Sequence, residues 1–257
     1  MSHWIREAFA GKKAFITYVT CGDPDLSTTR QILLALNEVG VDMIELGFPF
    51  SDPTGEGPVI LQSNLRALDG GLKVDDAFAL LEHVREEIEV PIIIRTYANV
   101  VYAYGKERFI MRASEAGADG LLLSDVPFEE KEEFAPICRR YGIDMISLIA
   151  PTSEDRIEKI ASEAEGFVYC ISSLGVTGMR EEITTDIRSM VEAARRYADI
   201  PVAIGFGIST PEQAAEMAQI ADGVIVGSAI VKLIGDYGHD AIEEVSRFVQ
   251  SMREAID

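Results

Sequence analysis

Basic residues are scarce in this 257-residue chain: 23 lysines and arginines face 43 aspartates and glutamates, a formal net charge of −20. Nucleic acids and anionic membranes are held by basic patches, so neither is expected as the main partner. A small phosphate ligand is still allowed, because backbone amides at helix N-termini can hold it against an unfavourable overall field. Cysteine is rare too. Cys21, Cys138 and Cys170 are an odd set without pairwise metal spacing, which suggests reduced thiols and a cytoplasmic protein. No apolar run approaches the roughly 18 residues of a membrane span. The first ten residues hold His3, Trp4, Arg6 and Glu7 and no apolar run of signal-peptide length. The rest is ordinary, 47% hydrophobic and 26% charged, a composition that fits a globular chain and excludes a disordered one.

Short β-branched runs recur at 14–19, 43–46, 91–97, 120–126, 145–149, 167–171, 201–205 and 224–226. They are apolar at consecutive positions instead of alternating, which predicts strands buried on both faces, as in a parallel sheet covered by helices. Helix-period segments rich in Ala, Glu and Arg lie between them, at 29–39, 77–89, 106–115, 130–141, 157–164, 186–197 and 211–219. Gly40, Gly117 and Gly142 each follow such a segment and precede a strand by a few residues, the pattern of a helix closed by a left-handed glycine. Pro91 and Pro201 stand at strand starts, where no ladder donor is lost. A further helix is expected over 2–10. Eight βα units without a linker or composition break close most simply as one (β/α)8 TIM barrel, an α/β fold, over residues 1–257. An open doubly wound sheet is the alternative, weakened by the lack of a glycine fingerprint after the first strand.

In such a barrel the chemistry lies at the C-terminal ends of the strands, and phosphates are often held after strands 7 and 8. The seventh run ends Gly205-Phe206-Gly207-Ile208-Ser209-Thr210, with Pro211 opening a helix; the eighth ends Gly227-Ser228. A third glycine loop, Gly175-Val176-Thr177-Gly178, follows the sixth. Any one of these equally well makes only a tight turn, and Gly205-x-Gly207 fails as a dinucleotide fingerprint. Three on adjacent strands favour a phosphate-bearing substrate.

Elimination narrows the chemistry. The lysines at 12, 13, 73, 106, 131, 159 and 232 fall outside every predicted strand, which disfavours a Schiff-base aldolase. His3, His83 and His239 lie on predicted helices or their edges, which removes a histidine-ligated metal site and a histidine triad. Left at the strand ends are Glu45, Asp52, Glu56 and Asp125, with Tyr18, Tyr97 and Tyr169. Glu45 sits inside an apolar strand near its C-terminal end, where an acid is costly unless paired or useful, and desolvation would raise its pKa toward the proton-transfer range. A structural carboxylate bonded to a neighbouring loop is the plainer alternative. Glu56 lies in a Pro/Gly-rich loop, 51–58, long enough for a lid or an interface; position alone favours a solvated charge. The three tyrosines are most cheaply core or rim aromatics.

Glu45-Leu46-Gly47-Phe48-Pro49-Phe50-Ser51-Asp52-Pro53, followed by Gly57-Pro58, resembles the signature of the tryptophan synthase α-subunit family. Val19-Thr20-Cys21-Gly22-Asp23-Pro24, Tyr97-Ala98-Asn99, Asp125-Val126-Pro127 and the three glycine loops match in order, so the resemblance spans nearly the whole chain. It implies a cofactor-free retro-aldol cleavage of indole-3-glycerol phosphate into indole and glyceraldehyde 3-phosphate. In the family a strand-2 glutamate moves protons at the indole C3 and the glycerol hydroxyl, a role that falls on Glu45. A loop acid accepts the indole N–H as positive charge develops, a role that falls on Glu56. The phosphate is then expected on the backbone of Gly178, Gly207, Gly227 and Ser228, with the Ser228 hydroxyl as a further donor. Tyr18, Tyr97, Tyr169 and Phe206 match positions around the pocket, and Thr177 matches a hydroxyl that helps close the lid.

The resemblance also implies a partner, a pyridoxal-phosphate-dependent β subunit, in an α2β2 heterotetramer, met through Asp52-Pro53 and the 99–105 region. Two other readings stay open: a stand-alone lyase that releases free indole, and a non-catalytic barrel that activates a β subunit. The chain departs from the family pattern at four places. Glu56 replaces an aspartate, Thr17-Tyr18 the usual Pro-Phe, and Ser173 an arginine found in some members. Arg95 stands where the family is usually apolar; pointing inward it would need a carboxylate partner, and the sequence does not give its direction.

Overall fold

The computed structural model describes residues 3–150, 153, 156–171, 187–205 and 207–256. The eight predicted strands form at β1 (Ala14–Thr20), β2 (Met43–Gly47), β3 (Ile92–Thr96), β4 (Gly120–Leu123), β5 (Asp144–Ile149), β6 (Glu165–Ile171), β7 (Val202–Gly205) and β8 (Gly223–Val226). Each pairs in parallel with its sequence neighbour and β8 returns to β1, so the sheet is a closed (β/α)8 barrel. Gly40, Gly117 and Gly142 adopt the expected positive φ, at 87°, 88° and 72°. The predicted 130–141 helix is two pieces, a 3-10 turn over Phe128–Glu133 and a helix over Ala135–Arg140. Pro136 explains the break, since proline suits the first turn of a new helix and not the middle of an old one.

Consecutive burial along each strand has a simple cause. Period-2 alternation sends one set of side chains into the barrel and the other beneath the helices. The inner set includes Ile16, Met43, Ile93, Leu122, Ile146, Phe167, Ala203 and Ile225, all buried in one cluster. The N-terminal helix, His3–Ala8, adds Ile5 and Ala8 to that cluster, joined by Phe9. Near the strand starts, four carboxylates repeat one contact. Asp42 accepts from the Phe15 N–H at 2.8 Å, Asp119 from Ile92 at 3.0 Å, Glu165 from Met145 at 3.3 Å and Asp222 from Val202 at 2.9 Å. Each also meets an arginine from the end of a helix: Arg253, Arg85, Arg139 and Arg195 respectively. The even-numbered strands are thereby tied to the odd-numbered strands before them.

Candidate active site

The same alternation, carried to the C-terminal ends of the strands, turns the inner layer polar. Two steps beyond Ile16, Met43, Ile93, Leu122 and Phe167 come Tyr18, Glu45, Arg95, Ser124 and Tyr169. Two steps beyond Ala203 and Ile225 come Gly205 and Gly227, which contribute no side chain. That vacancy has occupants. A Cβ on Gly205 would overlap the Tyr169 hydroxyl, one on Gly47 would overlap the Tyr18 hydroxyl, and one on Gly227 would lie 3.1 Å from the Tyr18 Cβ. What approaches Gly205 and Gly227 closely is therefore, at least in part, a tyrosine ring.

Glu45 points into this layer and has no solvent exposure. Its Oε2 accepts from Arg95 Nη1 at 3.4 Å, whereas Oε1 has no hydrogen-bond partner among the described residues. Burial drives its pKa up to about 7, against the opposing pull of Arg95, with a smaller upward push from Glu56. The carboxyl is therefore held in the range where it can both give and take a proton near neutrality. Glu56 reaches the same place from the loop after β2. It is 7% exposed, and its Oε1 accepts from Arg95 Nη2 at 2.9 Å. The loop is fastened beside it, since the Gly55 N–H donates to the Tyr97 hydroxyl at 3.2 Å and the Phe50 ring lies 5.3 Å from that of Tyr97.

Arg95 points inward, and both carboxylates meet it there. Its guanidinium also donates to Ser124 Oγ at 3.3 Å, lies 5.2 Å from the centroid of the Tyr18 ring and meets the Tyr169 side chain. Tyr18, Tyr97 and Tyr169 have their hydroxyl pKa values raised, in each case chiefly by burial. They are neutral hydrogen-bonding groups at physiological pH. Tyr18 continues through Thr20 to Ser63, at 3.3 and 2.7 Å.

The glycine turns share a wall with this cluster. A cavity of about 20 Å³ is lined by Tyr18, Arg95 and Tyr169 on one side and by Gly207, Gly227 and Ser228 on the other. Gly207 has a φ of 79°. Ser228 opens the ten-residue helix Ser228–Tyr237, whose first amides lack helical partners. A larger cavity of about 450 Å³ lies over the ends of β4 and β5, and Ser124, the Arg95 partner, is on its wall. Of the other candidates, Asp52 and Asp125 are exposed. Asp125 accepts from the Ala98 N–H at 2.8 Å at the start of the helix Ala98–Tyr104. Thr177, Gly178 and Phe206, like Ser173, lie outside the described residues. Ser124 was missed by the sequence reading, because a serine at a strand end carries no signal of its own. Among the described residues no cluster of metal-ligating side chains occurs, and Cys21, Cys138 and Cys170 are buried and unpaired as thiols. No helix among those residues is long and apolar enough to cross a membrane.

Residues 6–257 match the family model for the tryptophan synthase alpha chain. The tryptophan synthase alpha chain of Caldanaerobacter subterraneus subsp. tengcongensis is 46% identical over 96% of this chain and 95% of its own. That of Lacticaseibacillus casei is 44% identical over 98% and 95%. Among solved structures, Mycobacterium tuberculosis tryptophan synthase superposes with a TM-score of 0.90 at 32% identity, covering 100% of this chain and 99% of the other. A tryptophan synthase a2b2 complex from Pyrococcus furiosus gives 0.88 at 38%, covering 95% and 99%.

Proposed function

This chain belongs to the tryptophan synthase alpha chain family, and on that premise we propose that it cleaves indole-3-glycerol phosphate to indole and glyceraldehyde 3-phosphate without a cofactor. The observation that carries the reading is Glu45, a fully buried carboxyl at the barrel mouth with one oxygen left unbonded by the described residues and a pKa near 7. Indole is a poor leaving group as a carbanion. Protonated at C3 it leaves as a neutral ring. In the proposed reaction Glu45 gives its proton to C3, and Glu56 accepts the indole N–H while the ring carries positive charge. The bond between C3 and the glycerol chain then breaks. Its electron pair returns to the ring, and the glycerol hydroxyl loses its proton to Glu45 as the aldehyde forms. The proton count closes, with Glu45 protonated again.

The phosphate is assigned to the backbone of Gly207, Gly227 and Ser228, with the Ser228 hydroxyl, and to Gly178 from the loop after β6. Helix N-terminal amides suit a dianion, and these turns share a cavity wall with Arg95, Tyr18 and Tyr169. Tyr97, the partner of the Gly55 amide, is assigned to holding the Glu56 loop. Thr177 and Phe206 keep their assignments from the family motif alone. The partner in this reading is a β subunit, in an α2β2 assembly, supported by similarity to the P. furiosus a2b2 complex. Co-purification with a β subunit and stimulation of turnover by it are the expected outcomes.

The test is indole release from indole-3-glycerol phosphate by the purified chain, with and without a β subunit. Replacing Glu45 with Gln removes the transferable proton without changing shape, and turnover is expected to fall by about 10²–10⁴-fold while a phosphate ligand still binds. Near-normal turnover in Glu45→Gln would defeat the mechanism.

A further inference from the structure

We propose that Arg95 is a positioning residue for this reaction: its guanidinium bridges Glu45 and Glu56, lies closer to Glu56, and so places the proton of the pair on Glu45 and the negative charge on Glu56. The proposal rests on the reading above and adds to it the device that sorts the two acids into their roles. The geometry is unequal. Arg95 Nη2 is 2.9 Å from Glu56 Oε1, a full charge-assisted hydrogen bond, whereas Nη1 is 3.4 Å from Glu45 Oε2. All three side chains are nearly buried, at 8%, 3% and 0% exposure, so water does little to level the difference. Two buried carboxylates share one cation, and the closer takes most of its field. Among the described residues the other titratable neighbours are Tyr18 from β1, Tyr169 from β6 and Tyr97 after β3, all held neutral by burial.

Arg95 also fixes where Glu56 is. Glu45 is built into a strand, but Glu56 stands on a loop, and among the described residues its charge partner is the strand-borne guanidinium. The planar fork reaches two carboxylates at once, which the single ammonium of a lysine does not reproduce. The arrangement predicts opposite responses to two substitutions. Arg95→Leu removes the cation, so Glu45 holds its proton to higher pH. Glu56→Gln removes the competing anion and leaves the cation to Glu45, so Glu45 loses its proton at lower pH. A role confined to packing would produce neither pattern.

The experiment follows the Glu45 carboxyl in the full chain by carbon NMR with labelled glutamate, the signal being assigned by its loss in Glu45→Gln. In the unsubstituted chain the titration is expected near 7. Arg95→Leu is expected to move it up by about 1–3 pH units, Glu56→Gln to move it down, and Arg95→Lys to bring it back toward the original value with kcat still reduced. The pH limb of kcat that belongs to Glu45 shifts in the same directions. Should Arg95→Leu fail to fold, the Glu56→Gln and Arg95→Lys arms decide. Unmoved titrations, or shifts of one sign in Arg95→Leu and Glu56→Gln, overturn the proposal. Absence of indole release from the unsubstituted chain would remove the proposed reaction, while the NMR titrations would still decide the part played by Arg95.

Discussion

Glu45 has a thermodynamic cost that runs with pH. Its carboxyl is raised from 4.5 to about 7 in the folded chain, mainly by burial. Between those values the native state binds a proton that the unfolded chain has already released. Stability therefore declines as pH rises through that window, by on the order of 3 kcal/mol from this group, and levels off above it. Glu45→Gln has no such term, so the variant is expected to gain stability over the parent from pH 5 to pH 8. Thermal unfolding at the two pH values measures it, and a difference that does not change with pH would contradict the burial argument. At this scale the sequence was partly legible. An acid inside an apolar strand, near its C-terminal end, singled out Glu45. The direction of Arg95 was not legible, because both faces of a barrel strand are apolar and the pattern does not say which parity points inward. Glu56 was readable as an acid on a loop, but its burial comes from a guanidinium 39 positions later.

The strands were more legible than the helices. Runs buried on both faces need no register to be recognised, and the eight observed strands differ from the expected ones only by trimming or extension at their ends. The helix Ala98–Tyr104 was hidden by its composition, since Val100, Val101, Tyr102 and Tyr104 are residues that favour strands. Its first amide is held by Asp125, a contact between residues 27 positions apart. Of the four carboxylates at the strand starts, Asp42 and Asp119 were visible as Gly-x-Asp steps, without their partners, and Glu165 and Asp222 had no such mark. Asp119 illustrates their weight. It receives the Ile92 amide at 3.0 Å and Arg85 at 3.1 Å. Asp119→Ala leaves the Ile92 N–H without this acceptor and takes the carboxylate from a largely buried guanidinium that keeps only the Ile88 and Val90 carbonyls, and is expected to destabilise the fold by about 3 kcal/mol. Urea denaturation checks this, and a loss well under 1 kcal/mol would mean that the contact contributes little.

The molecule as a whole divides its labour along the barrel axis. At the strand starts, carboxylates meet arginines and amides, and these contacts hold the fold. At the strand ends, two carboxylates are packed into a nearly buried layer with, among the described residues, the Arg95 guanidinium, an arrangement unfavourable for stability and suited to moving protons. The strongly acidic composition bears on neither end directly, because a phosphate is recognised by local amides and not by the net charge. What the account requires of the molecule is one event: transfer of an exchangeable proton from Glu45 to the indole ring before the carbon–carbon bond breaks. Incubation of indole itself with the chain in heavy water, with mass analysis of the indole, tests that event apart from any carbon–carbon cleavage. The account predicts deuterium entering C3 faster than in indole incubated alone and no such acceleration by Glu45→Gln; exchange no faster than that background, or equally fast with Glu45→Gln, would contradict it.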